Sequence, residues 1–214
     1  MSKIPILPDQ YYHIYNCGVN YRKIFFTPAN WQFFIVRLRK YFDSEHADII
    51  SYCLMPNHYH LLIHAKSTDF SSKIMQPLGT SYTKAIIKQE NQIGALFQGP
   101  FQAGLILQDS YLLHLSRYIH LNPVVAGFVR KPEDWEYSSY REYSGFRNGT
   151  LPKPVIILSQ FMTGSRTEIL AGVPERRGST FSDDMLKDAQ RKYSEFVNEK
   201  CDPWAEFPES LLMD

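Results

Sequence analysis

Two histidines, His58 and His60, flank Tyr59 in the stretch L-M-P-N-H-Y-H-L-L-I-H. The stretch is apolar and β-prone, and side chains at i and i+2 of a strand point to the same face. Two imidazoles about 6–7 Å apart along the backbone can converge on one cation. The pair therefore predicts half of a metal site, although the polar side of a strand also carries histidines that have no chemical role. His64 has the same parity further along, and we interpret it as a strand residue.

A second pair, Tyr118 and Asn122, lies in the run D-S-Y-L-L-H-L-S-R-Y-I-H-L-N-P. The run predicts a helix that begins with Asp109 as its N-cap and ends at Asn122-Pro123. Four-residue spacing puts Tyr118 and Asn122 on one helix face. A deprotonated phenol is a nucleophile, and an amide oxygen is a hard ligand that suits Mg²⁺ or Mn²⁺. The structural alternative for Tyr118 is an aromatic that packs one end of the helix.

A free phenol has a pKa of about 10 and is mostly protonated at neutral pH, so a nucleophilic tyrosine needs positive charge or a base nearby. His114 and His120 lie on the same predicted helix as candidate proton acceptors. Each could equally be a packed, hydrogen-bonded histidine, and the sequence does not choose between them.

The elements that would position these groups follow the order β, α, β, β, α, β, α. Strands are predicted over residues 11–16, 47–54, 59–64 and 103–107, and helices over 27–42, 71–89 and 109–122. This order favours an α+β fold with a ferredoxin-like antiparallel sheet and helices on one face. The pattern weakens near residue 150, which predicts a catalytic domain over 1–150 and an acidic, partly helical extension over 151–214. The extension would contain a loop at 171–180 and a helix at 182–199.

Charge is unevenly distributed along the chain. Residues 1–131 contain 13 Lys and Arg against 7 Asp and Glu, whereas residues 132–214 contain 10 against 15. The first part could attract a polyanion, although an ordinary solvated surface with an acidic tail accounts for the charges equally well. The three cysteines lack C-x-x-C spacing, and we find neither a secretory signal nor an apolar run that could span a bilayer. We expect a cytoplasmic protein without membrane contact.

The motifs P-N-H-Y-H-L-L-I, R-Y-I-H-L-N-P-V-V-A-G and W-E-Y-S-S-Y occur in this order. Together they closely resemble the single-tyrosine HUH transposases, particularly the REP-associated tyrosine transposases and related insertion-sequence enzymes. The resemblance extends from Tyr12 to about Tyr143. It implies the HUH endonuclease fold, a Mg²⁺ or Mn²⁺ cofactor and a single-stranded or hairpin DNA substrate. It also leaves open a homodimer, since relatives include both dimers and monomers.

Residue by residue, the resemblance implies that His58 and His60 bind the metal, that Asn122 is its third ligand and that Tyr118 is the nucleophile. The reaction would be DNA strand cleavage and transfer through a 5′-phosphotyrosine link. Tyr137 and Tyr140 could stack on bases, whereas Trp135 would anchor the core. Contacts to DNA are expected from the basic residues Arg22, Lys23, Lys84, Lys88, Arg117, Arg130 and Lys131.

Other functions compete for the same motifs. Histidine-triad nucleotide hydrolases need a third histidine at position 62, which is Leu62, and two-histidine phosphodiesterases need a repeated H-x-T/S motif that is absent. A domesticated protein that binds DNA hairpins as a regulator without cleaving them remains the alternative. Such a protein would have lost a catalytic residue, and this chain retains all of them.

Overall fold

The computed structural model describes residues 5–162 and 182–199. The predicted loop at 171–180 and the tail from residue 200 lie outside these ranges. Along the described parts, no helix combines the length and the apolar character needed to cross a membrane.

A four-stranded antiparallel sheet forms the centre of the molecule. Its strands are β1 (Gln10–Cys17), β2 (Ala47–Met55), β3 (His58–Ala65) and β4 (Gln102–Ile106). They lie in the order β2-β3-β1-β4. All four predicted strands are confirmed within two residues at each end. The ferredoxin-like α+β class is confirmed as well.

Two helices cover one face of the sheet. They are α1 (Pro28–Tyr41) and α2 (Gln76–Glu90), and a π-helical turn over Ser71–Met75 precedes the second. Pro28 begins α1, where its missing N–H costs nothing. The Oδ1 atom of Asn30 accepts the backbone N–H of Thr27 and closes the first turn. Buried side chains of both helices, among them Phe34 and Tyr82, form a first core with the strands.

The helix α3 (Asp109–Val125) lies on the opposite face of the sheet, in a second core. The expectation of helices on one face therefore holds for α1 and α2 alone. The physical reason lies in the strands, because eight of the nine residues of β2 are buried. A strand that is apolar on both sides needs a cover on both sides of the sheet.

The predicted end of α3 at Asn122-Pro123 is wrong. The helix continues through Pro123 to Val125, and the N–H of Ala126 still donates to the carbonyl of Asn122. Gly127 follows with a φ of 73°, a left-handed conformation that suits glycine at a helix end. Proline removes only one hydrogen bond so close to the terminus, and Asn122 keeps its helical position. The N-cap is Gln108 rather than the predicted Asp109.

The C-terminal elements pack with α3 in the second core. They are α4 (Tyr140–Tyr143), α5 (Val155–Leu158) and α6 (Asp183–Asn198). The residues before α4 and α5 pair with the edge strand β2. The Oγ atom of Ser182 caps α6 by accepting the N–H of Met185. Ala189, Tyr193 and Val197 of α6 are buried in the second core, which confirms this predicted helix. The domain division at residue 150 stays a prediction.

Candidate active site

The register of the sheet places His58 and His60 on the face covered by α3. His60 is paired with Tyr15 on one side and Cys53 on the other, and His58 with Cys17 and Met55. The two imidazole centroids are 4.9 Å apart. His58 stands at the hairpin end of β3 and is partly exposed, whereas His60 is fully buried. The site therefore opens to solvent at the β2–β3 hairpin, which we call the mouth of the site.

The helix α3 brings Tyr118 and Asn122 to these histidines. Asn122 Oδ1 lies 3.1 Å from His58 Nε2. The Tyr118 hydroxyl and Asn122 Nδ2 each lie 3.4 Å from His60 Nε2. All four side chains predicted for the metal and the nucleophile thus meet at one place, although 58 residues separate His60 from Tyr118 in the chain.

Hydrogen bonds orient the ring of His58. Its Nδ1 lies 2.7 Å from Asn57 Oδ1, and the amide nitrogen of Asn57 donates to the carbonyl of Tyr21. The Asn57 oxygen is therefore the acceptor, and Nδ1 of His58 carries the proton. The lone pair of Nε2 then points toward the oxygen of Asn122. Two lone pairs at 3.1 Å are repulsive unless a proton or a metal cation lies between them.

A third histidine, His13 on β1, orients His60. His13 Nε2 lies 2.9 Å from His60 Nδ1, and the two rings stack at 5.1 Å. Of the two neighbours of His60 Nε2, the Tyr118 hydroxyl can donate or accept, whereas the Asn122 amide nitrogen can only donate. This places the lone pair of His60 on Nε2 and the proton on Nδ1, which donates to His13. Sequence reasoning missed His13. The only available signal was that His13 lies two residues before Tyr15 on β1, so that both side chains point to the same face of the sheet.

Burial controls the charge state of the site. It lowers the pKa of His58, although the Asn122 oxygen beside Nε2 favours the protonated ring, and it lowers the pKa of His60 further with the help of His58 and His13. Both imidazoles are thus neutral at neutral pH, the form in which histidine binds a metal. Burial also raises the pKa of Tyr118, which is only 3% exposed. Tyr118 is therefore a protonated phenol in this structure.

The spacing of the donors fits a divalent cation. Adjacent ligands of an octahedral Mg²⁺ at 2.1 Å are about 3.0 Å apart, close to the 3.1 Å between His58 Nε2 and Asn122 Oδ1. The described residues contain no group of three His, Cys, Asp or Glu that could hold a metal. A three-ligand site in this part of the chain consequently depends on the amide oxygen of Asn122. The amide oxygen suits Mg²⁺ or Mn²⁺, whereas imidazole nitrogens also suit Zn²⁺ and other transition metals.

The candidate bases occupy different surroundings. His120 is fully buried on the other side of α3, with Nδ1 2.6 Å from the hydroxyl of Tyr193 and Nε2 2.8 Å from Ser139 Oγ. Burial lowers the pKa of His120 to about 3. This geometry makes His120 a packed, hydrogen-bonded histidine, the alternative left open by the sequence. His114 meets the ring of Phe196 edge to face.

The predicted DNA contacts do not form one group. Arg22 and Lys23 are exposed in the segment that follows β1, beside the mouth, and Arg130 and Lys131 are exposed just beyond α3. Lys84 and Lys88 are exposed on α2, across the sheet from Tyr118.

Arg117 differs from the other six because it is only 2% exposed. It donates to the carbonyl of Glu199 and lies over the ring of Phe196. Its prediction as a DNA contact disagrees with this burial, since a helix residue facing α6 does not reach the surface.

Comparison with known proteins agrees with this geometry. A family model for IS200-like transposases matches residues 7–122, just over half of the chain. A Haemophilus influenzae protein named as a REP-associated tyrosine transposase is 30% identical over 103 residues, 44% of this chain and 58% of that protein. The aligned part therefore spans little more than half of that relative.

A solved structure of a REP-associated tyrosine transposase bound to a REP hairpin has a TM-score of 0.55 and 19% sequence identity. The match covers 72% of this chain and 94% of the other. At this identity the likeness establishes the shared fold. The family match spans His13, His58, His60, Tyr118 and Asn122, and it confirms the resemblance inferred from the motifs. The protein belongs to the family of IS200-like transposases.

Proposed function

We propose that the protein is a metal-dependent transesterase that cleaves and rejoins single-stranded or hairpin DNA through a 5′-phosphotyrosine intermediate. The observation that carries the proposal is the convergence of Tyr118, His60, His58 and Asn122 within 3.1–3.4 Å of their neighbours. Family membership and the shared fold support the same chemistry.

The cation would be held by His58 Nε2, His60 Nε2 and Asn122 Oδ1. When bound, it would neutralise the non-bridging phosphate oxygens and polarise the phosphorus. His13 and Asn57 contribute by keeping the Nε2 lone pairs of the two ligands directed into the site. The protein thus provides an oriented, neutral ligand set.

Tyr118 would attack the phosphorus, forming a phenolic oxygen–phosphorus bond while the bond from phosphorus to the 3′ oxygen breaks. The phenolic proton is released and the 3′ oxygen leaves as a hydroxyl, so that protons balance across the step. The number of phosphoester bonds does not change. A 3′-hydroxyl can therefore reverse the reaction on another end and join strands without ATP.

The burial of Tyr118 restricts which DNA substrates can reach the site. Because Tyr118 is only 3% exposed, a phosphodiester must enter the site through the mouth to reach it. A phosphate on the surface of a rigid duplex cannot do so. An unpaired strand exposes single phosphates and bends at low energetic cost, which favours single-stranded DNA or the unpaired flank of a hairpin. The relative bound to a REP hairpin supports the same substrate class.

The test is formation of a covalent adduct between the protein and oligonucleotides taken from inverted repeats beside its gene. In Mn²⁺ or Mg²⁺, a denaturing gel should show a slower protein band that is lost in EDTA and in Tyr118→Phe. The matched control is Tyr111→Phe, two turns earlier on α3, which should retain the adduct. An adduct that survives Tyr118→Phe would overturn the assignment. Tight hairpin binding by the wild type without any adduct would instead support the regulator.

A further inference from the structure

Five aromatic rings form a continuous row at the hairpin end of the edge strand β2, and we call them the aromatic row. Phe25, Trp31 and Tyr137 pack against the first core, and Trp135 packs against the second. Phe25 stacks on Trp31 at 5.1 Å, and Trp31 stacks on Tyr137 at 4.6 Å. Tyr137 meets Trp135 at 5.7 Å, and Trp135 meets Phe128 at 5.6 Å. The row joins residues from four separate parts of the chain: the segment after β1, α1, the segment after α3, and the stretch before α4.

Hydrogen bonds tie the row to the mouth of the site. The indole N–H groups of Trp31 and Trp135 both donate to the carbonyl of Leu54. The next residue, Met55, is the strand partner of His58. The two tryptophans of the row are thus anchored at Leu54, one residue before the strand partner of His58.

Phe128 is the exposed end of the row. Its side chain is 53% exposed, whereas Phe25 at the other end is fully buried. Of the two tyrosines predicted to stack on bases, Tyr140 is buried and Tyr137 already stacks on Trp31. The exposed ring of the row is therefore that of Phe128, which the sequence analysis did not select.

Phe128 also lies close to the metal-binding end of α3. Its backbone N–H donates to the carbonyl of Pro123, which directly follows Asn122. From Asn122 to Ala126 the helix makes a single turn of about 5.4 Å. A strand whose phosphate lies at Asn122 would accordingly pass Phe128 with its neighbouring nucleotide.

Charged residues of both signs border the row. Glu133, Asp134 and Glu136 flank Trp135, and Glu133 lies 3.9 Å from Lys131, whereas the charged residues nearest to Phe128 and Phe25 in the chain are cations. Arg130 and Lys131 follow Phe128 and are exposed, and Arg22 and Lys23 precede Phe25 and are exposed. Aromatic rings that stack on bases, beside cations that follow the backbone, are the usual means of binding single-stranded nucleic acid. An exposed phenylalanine amid such cations is better matched to a nucleobase than to an apolar protein surface.

We propose that Phe128 is a stacking platform for the unpaired nucleobase next to the cleaved phosphate. This inference rests on the proposed function and adds a subsite to it. Trp135 contacts the Phe128 ring at an interplanar angle of 45° and is itself held by its hydrogen bond to Leu54. Stacking is tolerant of base identity, so the subsite orients the strand while leaving sequence choice to other contacts.

The test uses the same inverted-repeat oligonucleotides, with 2-aminopurine moved through the unpaired positions. One position next to the cleavage site should be quenched on binding to the full-length protein, and Phe128→Ala should remove that quenching. Loss of one stacked base should raise the Kd about tenfold, and Phe128→Trp should restore it. Phe146→Ala is the matched control, since Phe146 is an exposed phenylalanine, 69% accessible, elsewhere on the surface.

Failure of this inference can be distinguished from failure of the proposed function. If the wild type forms the adduct while Phe128→Ala keeps both quenching and Kd, the stacking platform is wrong and the transesterase stands. If quenching depends on Phe128 but no adduct forms, the platform stands and the cleavage is wrong. If Phe128→Ala changes only the mass in sedimentation, the ring is a contact between protein chains, and the inference is overturned.

Discussion

At the scale of single residues, the site depends on which nitrogen of each histidine carries a proton. His60 would be a poor ligand if its Nε2 were protonated, and the contact with His13 Nε2 at 2.9 Å holds the proton on Nδ1. His58 depends in the same way on Asn57. Loss of such a supporting contact typically lowers metal affinity about 10–100-fold.

We therefore predict a graded loss of Mn²⁺ affinity. His60→Ala should abolish binding measurable by calorimetry, because it removes a ligand. His13→Phe keeps a stacked ring but removes the hydrogen bond, and it should weaken binding about 10–100-fold. The control is His64→Phe on the same face of β3, which stacks on Tyr11 and should leave affinity unchanged. Equal affinities in wild type and His13→Phe would contradict the supporting role of His13.

At the scale of elements, α3 has two polar sides with different tasks. Tyr118 and Asn122 face the histidines, whereas Ser116 and His120 face α6. The hydroxyl of Tyr193 on α6 lies 3.0 Å from Ser116 Oγ and 2.6 Å from His120 Nδ1. The chain of contacts continues through Ser139 to the backbone of β2. It connects α3 to the C-terminal helix through Tyr193 and to the sheet through Ser139.

Removing the hydroxyl in Tyr193→Phe should lower the free energy of unfolding by about 1–3 kcal/mol, because two buried partners lose a hydrogen bond. Urea unfolding followed by circular dichroism measures this change. Combined with Ser116→Ala, the double variant should show a coupling energy of about 0.5–3 kcal/mol. Purely additive effects would show that the two hydroxyls do not share one network.

At the scale of the whole molecule, the sheet separates the predicted DNA-binding cations into two groups. Arg22, Lys23, Arg130 and Lys131 lie on the segments that border the mouth and the aromatic row. Lys84 and Lys88 lie on α2, which covers the other face. A strand that enters the mouth would therefore meet only the first group.

This separation predicts a difference in salt dependence. Replacing Arg130 and Lys131 together by glutamine should reduce the slope of log affinity against log salt by about 1.4, since each phosphate contact to single-stranded DNA contributes about 0.7. Replacing Lys84 and Lys88 by glutamine should leave the slope unchanged. Fluorescence anisotropy in a salt series measures both. Equal slopes for the two double variants would place the strand on a different surface.

Much of the fold could be predicted from local patterns. Runs of β-prone apolar residues and helical spacing identified every strand of the sheet and its covering helices, because both are properties of the local chain. Two boundaries of α3 were wrong. Pro123 is tolerated within the helix, and Gln108 takes the N-cap position predicted for Asp109. Packing against the sheet can override such local preferences, which act over only one turn.

The sequence by itself determined the chemistry of the site: His58 and His60 share a strand face, and Tyr118 and Asn122 share a helix face, because backbone geometry sets both relations. Only the tertiary structure decided which more distant groups support them. His13 reaches His60 through strand pairing, Arg117 is buried beneath α6, and Phe128 extends from a row of rings drawn from separate segments. These contacts join residues far apart in the chain, and a local pattern contains no information about which distant residues will pack together.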